Sequence, residues 1–216
     1  MSAEFVPGLA GVVAAKSAIG FIDGKQGILR YRGIRIEELA EHSTFEEVAF
    51  LLLFGKLPNA DELASFDGEL KANRALDPSI VAVLRALPKT THPMVALQTA
   101  VAAMAGVDNH MDVTDGDRNL GAAKKLIAVL PSITATFDRL RKGLDPVAPD
   151  NALGHAANFV YMTTSEKPNA QIARLMDVSL ILHAEHGFNA STFTGRVVGA
   201  TLANPYGAMA GAIGSL

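Results

Sequence analysis

The chain has 216 residues and a formal net charge of −3; 49% of its residues are hydrophobic, only 6% are aromatic, and it has neither Cys nor Trp. That composition excludes disulfides and thiol chemistry and speaks against a basic face for nucleic acid or an acidic membrane. The core must be filled by Leu, Ile, Val, Ala and Met, which suits close helix packing, in one large domain or two small ones.

The first residues, Met1 to Pro7, carry no basic and then apolar leader, so no signal peptide is expected. Residues 18–22 and 28–32 are short alternating runs flanking Asp23-Gly24, a hairpin signal. From residue 35 onward nearly everything reads as helix. Ile36 to Ala40 is a short one. Thr44 and Glu47 form a capping box for the next, which Gly55 closes. Pro58 opens a helix to about Asn73, Asp77-Pro78 another to Leu87, and His92-Pro93 a third that covers 94–106. Asp108 to Asp117 reads as a loop. Asp112, Asp115 and Asp117 lack the spacing and distal Glu of a calcium loop.

A long helical pattern covers 119–143, with Pro131 in its interior predicting a kink. Residues 151–162 are helical, and 170–186 form a helix with Leu175, Met176, Val178, Leu180, Ile181 and Leu182 around its circumference, the pattern of a buried helix. The last helix read in full, 189–204, has a small residue every fourth position (Ser191, Gly195, Gly199, Ala203), a stripe that lets a neighbour approach closely. No uncharged apolar run reaches the ~18 residues a membrane span needs, so no membrane partner and a cytoplasmic location are expected.

The richest chemistry lies between the last two helices, in His183-Ala184-Glu185-His186-Gly187-Phe188-Asn189-Ala190-Ser191-Thr192. Polar groups are costly in a core unless each has a partner, so this cluster between apolar segments reads as a site. His183 and His186, three apart, would share a helical face. A metal would need further ligands: there is no Cys, no His-Glu-x-x-His and no third ligand nearby, so none is expected. His186, before Gly187 at the helix end, could offer an N–H to an anion. Asn189 and Ser191 suit the start of the next helix, as plain caps or as a carboxylate-binding end. His42, His92, His110 and His155 are scattered. No phosphate-cradling glycine loop and no Gly-x-Ser-x-Gly elbow is present.

These residues carry a resemblance. Pro7 to Val12, Ile22-Asp23-Gly24, Tyr31-Arg32-Gly33, Ile36 to Ala40, His92-Pro93-Met94, Ala157 to Met162, and His183 to His186 followed by Asn189 to Phe193 are similar in order and spacing to the N-terminal part of bacterial citrate synthases. The resemblance implies a mainly α, multi-helical large domain over 1–216, incomplete, with a small N-terminal β-hairpin and with the small domain and C-terminal segment absent. It implies condensation of acetyl-CoA with oxaloacetate to citrate and CoA, acetyl-CoA being a co-substrate, with no bound cofactor or metal. His186 and Asn189 would bind substrate, with Ser191 and His183 behind them. The family's catalytic histidines and aspartate have no counterpart here, so none of the main catalytic residues is expected in this chain and it should be inactive alone. A homodimer is implied through helices 94–106, 119–143, 170–186 and 189–204. Two alternatives stay open: 2-methylcitrate synthase, acting on propionyl-CoA, and a non-catalytic helical dimerisation protein on the same scaffold.

Overall fold

The computed structural model describes residues 15–108 and 113–216. The expected loop at 108–117 lies partly outside them, as do His110 and Asp112. Of the described residues 64% are helical, in ten helices, and one small sheet lies among them. The sheet has three antiparallel strands rather than the two expected. Strand β1 (Gly20–Asp23) pairs with β2 (Ile28–Tyr31), Gly20 opposite Tyr31 and Asp23 opposite Ile28. The Asp23 carboxylate caps the turn by accepting the N–H groups of Lys25 and Gln26 at 3.0 and 3.1 Å. Arg32 and Gly33, both at positive φ, turn the chain again into β3 (Ile34–Arg35). A two-residue strand carries little pattern of its own, which is why periodicity missed it.

Helices α1 (Ile36–His42) and α2 (Phe45–Phe54) follow at once. The Thr44–Glu47 capping box is present, and Gly55 ends α2 in the left-handed region. Helix α3 (Ala60–Ala72) starts two residues after Pro58, because Asn59 supplies the cap and Glu62 completes a second capping box. Helices α4 (Pro78–Ala86), α5 (Pro93–Asp108) and α6 (Gly116–Arg141) come next, and α6 continues through Pro131. By length and composition α6 alone, among the described residues, could cross a membrane; half of its apolar stretch is buried inside the chain.

Helix α7 (His155–Thr164) starts four residues later than expected, since Asn158 accepts the Asp150 N–H and holds 150–154 as a loop. Helix α8 (Ala170–His183) ends three residues short of the expected His186. The expected 189–204 helix is two pieces: α9 (Ala190–Ala200) stops at Thr201-Leu202, with Leu202 at positive φ, and Asn204-Pro205 starts α10 (Pro205–Gly214). The Asn-Pro step is a helix-start signal that outweighed the apolar periodicity.

Three apolar clusters hold the helices. One joins α4, α5, α6 and α10, with Ile80, Leu84, Val101, Leu126, Ile133 and Tyr206 at its centre. A second seats the sheet, α1 and α2 on Ile181 of α8. A third packs α2 and α3 on Ala128 of α6. The small-residue stripe acts where the fold uses it: a Cβ on Gly195 would press on Ala212 at 3.3 Å, and one on Gly211 on Val198 at 3.1 Å. Gly199 faces open space, and Ala203 lies in the break. Helix α8 corrects the expectation of a buried helix. Ile181 is its only fully buried residue, while Ile172, Leu175 and Leu182 are exposed. Helix α9 has no buried residue at all, with Phe193 and Val197 exposed. An apolar circumference says that a helix can be covered on all sides; within one chain, α8 is covered on one.

Candidate functional site

The loop between α8 and α9 gathers three of the four residues singled out from the sequence. Asn189 caps α9: its Oδ1 accepts the Thr192 N–H at 2.7 Å and the Ser191 hydroxyl at 2.7 Å. Its amide Nδ2 lies 3.0 Å from Nε2 and 3.1 Å from Nδ1 of His186. The amide can donate only to a ring nitrogen that carries no proton, so which ring nitrogen accepts follows the tautomer. His186 is exposed, and Asn189 and Ser191 are half-buried. A cap and a histidine anchor are thus the same side chain.

His183 is separate. It ends α8, is exposed, and donates from Nδ1 to the Ser179 carbonyl at 2.7 Å, one turn back along its own helix. His186 lies beyond the helix, so the expected shared helical face is not formed. The expected helix stop at Gly187 is also displaced: Gly187, at φ 79°, shapes the loop instead. Phe188, next in the loop, has the Arg196 guanidinium 5.0 Å over its ring, a cation–π contact.

The loop is anchored from below. The Tyr31 ring is fully buried, and its hydroxyl donates to the carbonyls of Ile181 at 3.0 Å and Leu182 at 3.3 Å. The same hydroxyl accepts the Glu185 N–H at 3.2 Å. Burial pushes the Tyr31 phenol up, so it stays a donor. The Glu185 carboxylate accepts the Gly187 N–H at 2.6 Å.

A second polar cluster went unseen in the sequence. His155 N–H donates to Glu46 Oε1 at 2.7 Å, and the His155 ring stacks on Phe45 with centroids 4.8 Å apart. Both His155 and Glu46 are buried, as is Arg74, which donates to the Leu153 carbonyl at 2.8 Å. Burial, and then the Arg74 charge, lower His155 to about 4. Burial raises Glu46. Glu46, Asp67 and His155 border a cavity of about 720 Å³ that six alanines, Arg174 and Asp177 also line. These residues are far apart in sequence, and only the α2–α3–α7 packing joins them. Among the described residues no three His, Cys, Asp or Glu side chains are grouped to hold a metal.

The chain was compared with known proteins. The family model described as "Citrate synthase, C-terminal domain" matches residues 8–216. A citrate synthase of Synechocystis is 45% identical over 212 residues, which cover 98% of this chain and 53% of that protein. A 2-methylcitrate synthase of Mycobacterium tuberculosis is 43% identical over 209 residues, covering 97% of this chain and 53% of that protein. The crystal structure of citrate synthase from Pyrobaculum aerophilum superposes with a TM-score of 0.91 at 42% identity, over 96% of this chain and 54% of that one. The chain spans about half the length of the curated relatives it matches. With the helical architecture and the His186 loop in place, the chain belongs to the citrate synthase family.

Proposed function

We propose that the protein contributes the oxaloacetate-binding part of a citrate synthase, an acyltransferase that condenses acetyl-CoA with oxaloacetate and releases citrate and CoA. The observation that carries this reading is the Asn189 side chain, bound to His186 on one side and to Ser191 and the start of α9 on the other. A ring tethered in this way offers a donor in a fixed direction to a carboxylate. The first-turn amides of α9 add a favourable end for negative charge. His186 and Asn189 are the proposed substrate contacts, with Ser191 behind them. His183, tied to its own helix, lies further off in the bonding pattern.

Enolising an acetyl thioester takes a carboxylate base and a hydrogen-bond donor on either side of the acetyl group. Glu185 is committed to the Gly187 N–H. We infer that these 216 residues alone do not condense the substrates, and that no bound cofactor or metal takes part. The test is oxaloacetate-dependent CoA release, measured for the 216-residue chain and for the full length that its gene encodes. Activity in the longer form and none in the shorter is expected; CoA release by the shorter chain would overturn the inference.

A second reading has its own support: relatives named 2-methylcitrate synthase are 43% identical over nearly the whole chain. The two activities differ by one methylene on the thioester, worth about 1 to 3 kcal/mol of discrimination. Comparing kcat/KM for acetyl-CoA and propionyl-CoA separates them.

A further inference from the structure

The small sheet at the start of the chain touches the His186 loop at three places. Tyr31 of β2 binds the carbonyls of Ile181 and Leu182 near the end of α8 and the Glu185 N–H of the loop through one hydroxyl. Gly20 of β1 lies flat on Glu185, so that a Cβ there would overlap its carboxylate. Ile22 of β1 lies against Gly187, 3.5 Å from where a Cβ would project. These contacts bracket position 186 on both sides, at 185 and at 187.

The bonding explains why the loop has one shape. A helix ends with carbonyls that have no intrahelical partner. Here the Leu182 carbonyl, and the Ile181 carbonyl that also accepts the Ala184 N–H at 3.2 Å, share the Tyr31 hydroxyl at the end of α8. The oxygen of that hydroxyl then takes the Glu185 N–H. The Glu185 side chain folds forward onto the Gly187 N–H at 2.6 Å, closing a tight turn around His186. Gly187, at φ 79°, completes the turn at a conformation that suits glycine. Tyr31 is fully buried and Glu185 half-buried, so both bonds are sheltered from water.

We propose that the N-terminal sheet sets the place of His186, with Tyr31 and Glu185 as positioning residues that hold the loop on either side of it. The catalytic consequence rests on the reading of His186 as an oxaloacetate ligand; the mechanical one does not. Misplacing a substrate-binding group by about 1 Å can cost up to about 100-fold in rate. The sheet thereby has a role in the reaction although it holds no substrate contact itself.

The experiment uses the protein at the full length its gene encodes, with Tyr31→Phe, Glu185→Ala, Glu185→Gln and His186→Ala. Two readouts are taken: KM for oxaloacetate and for the acyl thioester, and hydrogen exchange of the Gly187 amide against the amides of α5 and α6. Tyr31→Phe and Glu185→Ala are each expected to raise the oxaloacetate KM about tenfold, leave the thioester KM within about twofold, and speed Gly187 exchange about tenfold. Exchange in α5 and α6 should stay as it was, which general destabilisation would not allow. Glu185→Gln keeps an acceptor oxygen and should return both readouts toward wild type. If neither variant moves the Gly187 amide or the oxaloacetate KM, the proposal fails. Should Tyr31→Phe not fold, Glu185→Ala decides by the same two readouts. If His186→Ala leaves the oxaloacetate KM unchanged, the substrate reading of His186 is what fails, and Gly187 exchange still decides the positioning.

Discussion

The backbone N–H of His155 donates to Glu46 Oε1 at 2.7 Å, and burial drives the titrations of these two side chains in opposite directions. His155 falls from 6.5 to about 4. The unfolded chain therefore binds more protons than the folded one between those values, and stability rises with pH across that window. The contribution is fully present above pH 6.5 and is lost as the pH falls toward about 4. Over the whole window it amounts to about 3 kcal/mol. Glu46 has the other sign: its raised titration favours folding at low pH and weakens it as the pH rises through its folded value. His155→Gln removes the first effect and leaves the second. Thermal melts from pH 7 to 4 should show a flatter acid limb for the variant; parallel curves would refute the assignment.

Arg74 is 1% exposed and is the cation nearest in effect to this pair, acting on His155 directly. One guanidinium nitrogen reaches the Leu153 carbonyl, while the Arg74 carbonyl accepts the Ser132 hydroxyl at 2.7 Å. Arg74→Met keeps much of the volume and the backbone contact but removes the charge that faces Glu46 and Asp67. It also leaves the Leu153 carbonyl without its donor, a loss of about 1 to 3 kcal/mol. Denaturant unfolding at pH 7 and at a more acid pH should register a loss of that order, smaller at the acid pH, because burial raises the titration of Glu46 and its protonation removes the charge that Arg74 faces. A loss that is equal at the two pH values would assign Arg74 to packing alone.

The sequence was legible where a local rule decides the structure. Thr44 with Glu47, Asp77 before Pro78 and Asn189 before α9 are all read from a few adjacent residues, and each is found as a cap. The His186–Asn189–Ser191 cluster was legible for the same reason: it lies within six residues. What escaped depends on partners that are distant in sequence. Tyr31 meets Ile181 across 150 positions, and Glu46 meets His155 across 109. Nothing in the spacing of either pair distinguishes them. Exposure of α8 was unreadable for a different reason, because periodicity reports which residues can be buried and not what is there to bury them.

Asn189 combines two tasks that substitution can separate. Ser at this position still caps a helix about as well as Asn, but it has no amide to reach His186. Asn189→Ser should hold stability within about 0.5 kcal/mol of wild type. In any form of the protein that shows oxaloacetate-dependent CoA release it should raise the oxaloacetate KM about tenfold, the equivalent of one lost hydrogen bond of about 1.4 kcal/mol. Asn189→Ala should lose the cap as well, at about 1 kcal/mol. If Ser and Ala at this position are alike in KM and also alike in stability, the cap and the anchor are not distinct functions.

The exposed apolar residues of α8 and α9 bear on assembly. Leu175 is 65% exposed, Val197 51% and Leu202, just past α9, 69%. Apolar area removed from water contributes about 25 cal/mol per Å², so each large aliphatic side chain covered by a second copy adds about 1 to 2 kcal/mol. A charge placed there would be desolvated without a partner when two copies meet. The homodimer that the family resemblance implies through these helices therefore predicts that Leu175→Glu and Val197→Glu, alone or together, shift the protein toward monomer. Leu57→Glu serves as the control outside the two helices, since Leu57 is 42% exposed and lies in the segment between α2 and α3. Sedimentation velocity at several concentrations reads the outcome directly. A wild-type protein that stays monomeric at high concentration would remove the homodimer altogether, whereas a dimer indifferent to both α8 and α9 substitutions would move its interface to α5 and α6.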